Sequence, residues 1–388
     1  MSAARVPLYD PAEHEPLGTA PWDPDRARAG IDAIAGRALA ARGPDGGWPR
    51  HPEDDYGQQG DCSLWIGAAG TLWALEQLGR GLGEAGLYER WRASPDVPGS
   101  RGLMLGETGV ALVSWRLSGD RAVADRLAGL VAETAHAPDH ELFSGAPGTM
   151  LAALHMHERT GEPGWADLWR SSALALLDEF RTDPEYGCRL WIQYRRGRLL
   201  RSLGAGHGFC SNVRSLLRGR ALLGPGRSAE LERAAAATAA AFALRDTELV
   251  NWPTAADPHW AEQFPIRLQW CHGAPGFLTS LWTLPRDPEL DALLTGAGEL
   301  VWRAGPLRKG PGLCHGTAGN GCGLLALYAR TGEERWLSRA RAFAMHALAQ
   351  VEAGSPRHSL WTGAPGVALY LAMCLDGRFT GMPVIDVL

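Results

Sequence analysis

Lysine is almost missing from this chain of 388 residues: Lys309 is the one lysine among 38 basic residues, and the rest are arginine. With abundant Ala, Gly and Pro, that bias fits a GC-rich bacterial coding sequence. Long apolar runs are missing too. No stretch approaches the roughly 20 consecutive apolar residues that cross a bilayer. The N-terminus, MSAARVPLYDPAEHEP, has no apolar signal core. No transmembrane segment is therefore expected. Excess positive charge is also lacking, since the formal net charge is -5, which argues against a nucleic-acid partner. The seven cysteines, at 62, 188, 210, 271, 314, 322 and 374, are odd in number and form no secretory framework, so a reducing cytoplasm is expected. No Pro/Ser-rich linker divides the chain, which reads as one domain over 1–388.

What the chain has in quantity is a repeated glycine segment. It reads GAAG at Gly67, GETG at Gly106, GAPG at Gly145, GFCS at Gly208, GAPG at Gly273, GTAG at Gly316 and GAPG at Gly363. The copies lie roughly forty to sixty-five residues apart, within or just above the range of helical repeats. Apolar helical runs follow them, such as TLWALEQLGR after Gly70 and VALVSWRLSG after Gly109. Amphipathic patterns precede them, such as DRARAGIDAIAGRALAARG, DRAVADRLAGLVAETAH and SAELERAAAATAAAFALR, with apolar residues at three- and four-residue spacing.

The alternation predicts an all-α fold in two concentric layers. Apolar helices form an inner ring and amphipathic helices shield it, so that seven pairs close into a seven-fold α/α toroid. Glycine at each inner helix start permits close backbone approach and leaves amide N–H groups free. Function is expected at the mouth, where seven loops converge. Glycines at helix ends also serve as caps, and GAAG, GETG and the last GAPG carry no evident chemistry. Two linkers are long. Residues 182–204 read as two short strands around Arg196-Gly197, a hairpin-like loop at the mouth. Residues 246–266 show no helical pattern and read as a lid or a structural flap.

Two copies of the repeat carry the ligand types zinc prefers. WCHG holds Cys271, and LCHG holds Cys314 and His315. Units five and six are neighbours in a closed ring, so the shared register brings these three together. Three ligands leave one position of a tetrahedral zinc open. Cysteine also serves as a small buried hydrophobe, and Cys62, Cys322 and Cys374 read that way. His207 precedes Gly208 as His315 precedes Gly316, and is a proton carrier by type. Glu141, four residues before Gly145, can orient it or hold an arginine. Arg267, four residues before Cys271, can polarise a carbonyl oxygen. From register alone each of the three also reads as a helix-terminal polar group, a reading less favoured for His207 than for Glu141 and Arg267. Trp270 and His272 either line a substrate pocket or pack the mouth. His155, His157 and His346 fall in helical runs without partners and read as surface or satisfied core residues.

The seven segments, with GHG at 206–208, WCHG at 270–273 and CHG at 314–316, resemble the lanthionine synthetase C family of bacterial lanthipeptide cyclases and eukaryotic LanC-like proteins. The resemblance covers about residue 25 to about residue 372. It implies a seven-fold α/α toroid around one Zn2+, with Cys271, Cys314 and His315 as ligands and His207 in proton transfer. Arg267, Trp270 and His272 match active-site positions, His272 where tyrosine is common. At the position of Glu141 the bacterial cyclases typically carry aspartate and LanC-like relatives often glutamate. Ser211 stands where glycine is usual. The activity implied is addition of a cysteine thiol to dehydroalanine or dehydrobutyrine in a dehydrated precursor peptide, giving (methyl)lanthionine thioethers. A separate dehydratase partner is expected, because no dehydratase or kinase region accompanies the repeat.

Two alternatives stay open: addition of glutathione to dehydrated residues, and a non-catalytic scaffold that binds peptide or glutathione around a structural zinc. Structural zinc usually has four protein ligands, which counts against the scaffold. Other α/α toroids fit less well. A glycosidase needs two acids at the mouth, where Glu141 stands alone. Protein prenyltransferases typically add an aspartate ligand.

Overall fold

A helix apolar all round has to be buried, and one with a single apolar stripe lies at a surface. The chain alternates the two kinds. In the computed structural model, residues 7–54, 57, 59–83, 86–195, 197–257 and 265–388 are described. Seven helices begin directly at the repeated glycines: Ala68–Gln77, Glu107–Ser118, Ala146–Thr160, Phe209–Arg218, Ala274–Leu281, Thr317–Thr331 and Ala364–Asp376. They are buried almost throughout; every residue from Ala146 to Met156 is inside. Seven others precede them: Pro24–Ala40, Leu87–Ala93, Arg121–Thr134, Pro163–Asp178, Pro225–Ala241, Pro288–Ala304 and Glu334–Ala353. These bury one side only. Arg121–Thr134, for example, buries Val123, Ala124, Leu127, Leu130, Val131 and Thr134. The fold is the expected all-α, seven-fold α/α toroid.

The two rings start their helices differently. Outer helices use side-chain caps: Asp23, Asp120 and Asp287 each accept from first-turn amides, worth about 1 kcal/mol apiece. Inner helices start on glycine, and their amides do not stay free as the sequence led us to expect. In unit one the amides of Ala68, Ala69 and Gly70 donate to the carbonyls of Asp61, Cys62 and Ser63. In unit six those of Thr317, Ala318 and Gly319 donate to Gly310, Pro311 and Gly312. A buried helix end cannot leave its donors unpaired, so each loop folds back over the helix it feeds.

That fold-back leaves no room for a side chain at the second glycine. A Cβ on Gly109 would overlap the Leu103 carbonyl and lie 2.9 Å from the Leu64 Cβ of the preceding unit. A Cβ on Gly70 would overlap the Leu64 carbonyl and lie 2.9 Å from the Leu360 Cβ of unit seven. The contact that joins successive units therefore also joins the last unit to the first. In unit four, Ser211 takes the glycine's place, and its hydroxyl donates to the Gly208 carbonyl at 2.9 Å.

A backbone belt links the loops on the same face. Trp65 N–H donates to the Met104 carbonyl (3.0 Å), Met104 to Phe143 (3.3 Å), Gly206 to Cys271 (3.2 Å), Cys271 to Cys314 (3.1 Å), Cys314 to Trp361 (2.8 Å) and Trp361 back to Trp65 (3.2 Å). At the remaining junction the Phe143 amide donates to Glu141 Oε2 instead, at 2.9 Å.

Among the described residues three antiparallel hairpins interrupt the helices. Gln193–Arg195 pairs with Arg198–Leu200, as expected around 196–197, although Arg196 lies outside the described residues. This hairpin exposes Ile192, Tyr194 and Leu199. The sequence did not announce the other two, Arg181–Thr182 with Arg189–Leu190 and Leu244–Asp246 with Leu249–Asn251. The last one corrects two expectations. The outer helix ends at Ala241 rather than running on through Leu244, and the stretch 246–266 begins inside a hairpin. The hairpin turn holds Thr247 at φ 55°, a conformation that Asn-Gly announces and Thr-Glu does not. Residues 258–264 of that stretch lie outside the described residues.

The larger hydrophobic cluster runs from Leu8 to Leu388. Asn251 Nδ2 donates to the Leu8 carbonyl at 2.6 Å, and Arg214 Nε donates to Asp386 at 2.6 Å. Among the described residues no helix is long and apolar enough to cross a membrane.

Two outcomes follow for stability. Gly70→Ala should destabilise by about 1–3 kcal/mol through overpacking. Gly36→Ala, in an outer helix where nothing lies within 4 Å of the added methyl, should instead stabilise by about 0.5–1 kcal/mol. Urea unfolding of both variants checks this, and equal effects would contradict it. The second outcome concerns Asp54, which accepts from Arg357, Ser359 and Thr362. Burial alone would raise its pKa, but the hydrogen bonds of Arg357 and Thr362 outweigh burial and hold it below the usual range. Its contribution is thus complete above the unfolded value of about 3.9 and is lost as pH falls through the lowered folded value. Asp54→Asn should destabilise at pH 7, and the gap from the parent chain should close below about pH 4.

Candidate metal centre

Cys271 and Cys314 hold the same belt position in adjacent units, and the Cys271 amide donates directly to the Cys314 carbonyl. His315 follows Cys314 at the mouth end. The two sulfurs and a ring nitrogen of His315 lie within 4.8 Å of one another. Among the described residues this is the one group of three His, Cys, Asp or Glu side chains placed to share an ion. The register argument therefore brings together the three residues it selected. Two soft sulfurs and an imidazole fit zinc by donor chemistry, and three protein ligands fit a site that keeps one position for a reactant.

A hydrogen bond from Cys314, with His272 and His315 nearby, holds the Cys271 thiol well below its usual range against the opposing effect of burial. The same contact with Cys271, helped by burial, pushes Cys314 well above it. Cys62 and Cys374 have other partners, Arg90 and Tyr370, whose effect burial outweighs. Burial pushes Cys374 up to about 12 and Cys62 up to about 11, which keeps them as inert thiols.

His207 stands beside the centre. Gly206, its neighbour in the chain, donates to the Cys271 carbonyl, and the His207 and His272 rings are 6.2 Å apart. His207 Nδ1 donates to Glu141 Oε2 at 2.7 Å. Glu141 is buried and also accepts from the Phe143 and Ser144 amides. Of the two partners left open for Glu141, the structure selects the histidine. Phe143 packs on the His207 ring with centroids 4.4 Å apart.

Arg267 lies in the loop of unit five with 28% of its side chain exposed, and pairs with Glu13 at 3.5 Å. His272 is half-buried beside Cys271. Trp270 is different. It is 1% exposed, its indole N–H donates to Thr279 at 3.1 Å, and its ring packs on Trp361. Of the two readings left open for Trp270, packing is the one this environment fits. The three histidines read as surface or satisfied core residues do have partners, and His157 bonds the Glu162 carbonyl at 3.2 Å. His155 bonds the Val384 carbonyl, and His346 bonds Glu15 at 2.8 Å and receives the Gly18 amide.

Three residues at the site escaped the sequence reading. Gln269 Nε2 donates to Cys271 Sγ at 3.0 Å. Lys309, noticed only for its rarity, donates to Gln269 Oε1 at 3.2 Å and to Glu13 Oε2 at 2.7 Å. The lone lysine, five residues before Cys314, was the available signal. Glu13 gave none.

The centre makes a direct prediction for metal content. The purified chain should carry close to one equivalent of zinc. Cys314→Ala should lose most of it, while Cys322→Ala, buried elsewhere in the ring, should keep it. Elemental analysis after desalting decides the matter, and undiminished zinc in Cys314→Ala would contradict the assignment.

Comparison with known proteins places the chain. A glutathione S-transferase LANCL1 of Danio rerio is 35% identical over 129 residues, which is 31% of this chain and 32% of that protein. The LanC-like protein GCL1 of Arabidopsis thaliana is 33% identical over 132 residues, 30% of each chain. The matched stretch thus spans about a third of the length of these relatives. The solved structure of nisin cyclase superposes with a TM-score of 0.62 at 16% identity, covering 90% of this chain and 94% of that one. At that identity the likeness is one of fold. The family profile described as lanthionine synthetase C-like protein matches residues 60–384, so the chain belongs to the lanthionine synthetase C-like family.

Proposed function

We propose that this protein joins a thiol to a dehydrated serine or threonine residue of a peptide. The nucleophile is a cysteine of the same peptide, so the product is a lanthionine or methyllanthionine ring. One observation carries the reading: a three-ligand Cys271–Cys314–His315 cluster stands beside a histidine whose Nδ1 is engaged by a buried carboxylate. A zinc ion held by those three residues would supply an open position that lowers the pKa of an incoming thiol.

The chain's own groups account for the remaining steps. Sulfur attacks the β-carbon, the π electrons move toward the adjacent carbonyl, and the α-carbon then needs a proton. Glu141 fixes the His207 proton on Nδ1, which leaves Nε2 to accept the thiol proton and return it to the α-carbon. Arg267 offers positive charge to the carbonyl oxygen as negative charge builds there. Exposed Ile192, Tyr194 and Leu199 offer apolar surface to an extended peptide. The substrate presupposes a dehydratase acting before this protein. The free cysteines suit a reducing cytoplasm.

One observation favours a second nucleophile. The zebrafish relative is named as a glutathione S-transferase, and glutathione addition would use the same groups. A dehydrated peptide containing one cysteine, incubated with and without glutathione, separates the two readings by mass spectrometry. Ring closure leaves the mass unchanged and removes the alkylatable thiol, whereas addition brings the mass of glutathione. Failure of both by the zinc-loaded protein would overturn the proposed chemistry. His207→Asn should lower the rate by about 100-fold or more with zinc content intact. Glu141→Gln should lower it less, again with zinc retained.

A further inference from the structure

We infer that Gln269 is a positioning residue for the Cys271 sulfur, and that Lys309 sets its orientation. The inference rests on the metal reading of Cys271, Cys314 and His315, and concerns a partner of that site which the mechanism above does not use.

Gln269 is 5% exposed. Its amide donates to the His272 carbonyl and the His272 amide donates back, both at 3.1 Å. This two-way bridge folds the backbone tightly around Trp270 and Cys271 and turns the Gln269 side chain onto the sulfur, with Nε2 at 3.0 Å from Cys271 Sγ. A carboxamide can point either end at a neighbour, so something must choose. Lys309 makes the choice. Its ammonium only donates, and it lies 3.2 Å from Gln269 Oε1. The oxygen is therefore held toward Lys309 and the NH2 toward the sulfur. Lys309 is held in turn by Glu13 Oε2 at 2.7 Å, while Glu13 Oε1 lies 3.5 Å from Arg267.

An N–H aimed at a thiolate stabilises it as a ligand and fixes the direction of its free lone pairs. Partners of metal ligands that act this way matter for affinity nearly as much as the ligands themselves. The arrangement also keeps Lys309 one residue away from the sulfur, so that its charge reaches Cys271 through a neutral amide. A lysine in direct contact would compete with the metal for the thiolate.

The test compares the parent chain with Gln269→Leu, Lys309→Met and the double variant, using zinc competition against a chromophoric chelator and the sulfur-to-metal charge-transfer band of the cobalt(II)-loaded protein. Thermal unfolding of the metal-free proteins controls for folding. Gln269→Leu should weaken zinc binding about tenfold and shift the cobalt band. Lys309→Met should weaken it less. The double variant should match Gln269→Leu alone, because the lysine acts through the amide. Unchanged affinity and band position in Gln269→Leu would overturn the inference, as would additive losses in the double variant. A parent chain that binds no zinc would overturn the metal reading itself, whereas zinc binding equal in parent and Gln269→Leu would overturn this inference alone.

Discussion

The spacing of the ring is set where a loop side chain rests on the α-carbon of a glycine in the next unit. Leu64 on Gly109, Leu103 on Gly148, Trp270 on Gly319 and Leu360 on Gly70 are instances of one contact. It holds adjacent loops close enough for their backbones to hydrogen-bond as a belt. The belt in turn makes Cys271 and Cys314 direct neighbours although they lie forty-three positions apart in sequence. A larger residue at the second glycine would push the loops apart, and the two sulfurs with them.

The belt is also informative where it changes. At the junction of units three and four the Phe143 amide turns to Glu141 rather than to the next loop, and there Glu141 meets His207. At the next junction the belt residue is Gly206, where a Cβ would lie 3.0 Å from that of Cys271. The absence of a side chain at that position leaves room for Cys271 against the loop that carries His207. The His207–Glu141 pair thus sits where the repeat departs from its own pattern, while the regular junctions, lined by Trp65, Met104 and Trp361, close the ring.

The ring was legible in the sequence because each unit repeats the same physical problem: bury an apolar helix and fold its loop back on itself. The glycines, the inner runs and the amphipathic outer runs all state that problem locally. The Cys271–Cys314–His315 cluster was legible because register places Cys271 and Cys314 alike. Pairwise details were not. Whether Glu141 serves His207 or Arg267 depends on the missing belt bond at Phe143, which no residue type announces. The hairpin at 244–251 turns on Thr247-Glu248, a pair without a turn signature. Trp270 sits at the position that carries Leu64 and Leu360 in other units, so its core role could have been read from register as well. Glu13 reaches the site from a segment before the first repeat, beyond the reach of any repeat argument.

The central claim is that three side chains from adjacent loops hold one metal and leave a place for a thiol. Zinc-edge X-ray absorption of the purified protein, with and without a peptide cysteine substrate, tests it most directly. The account predicts two sulfur neighbours at about 2.3 Å with lighter nitrogen or oxygen neighbours at about 2.0–2.1 Å, and a third sulfur when substrate is added. A sulfur count that stays at two with substrate bound, or a shell filled by a fourth protein ligand, would contradict it.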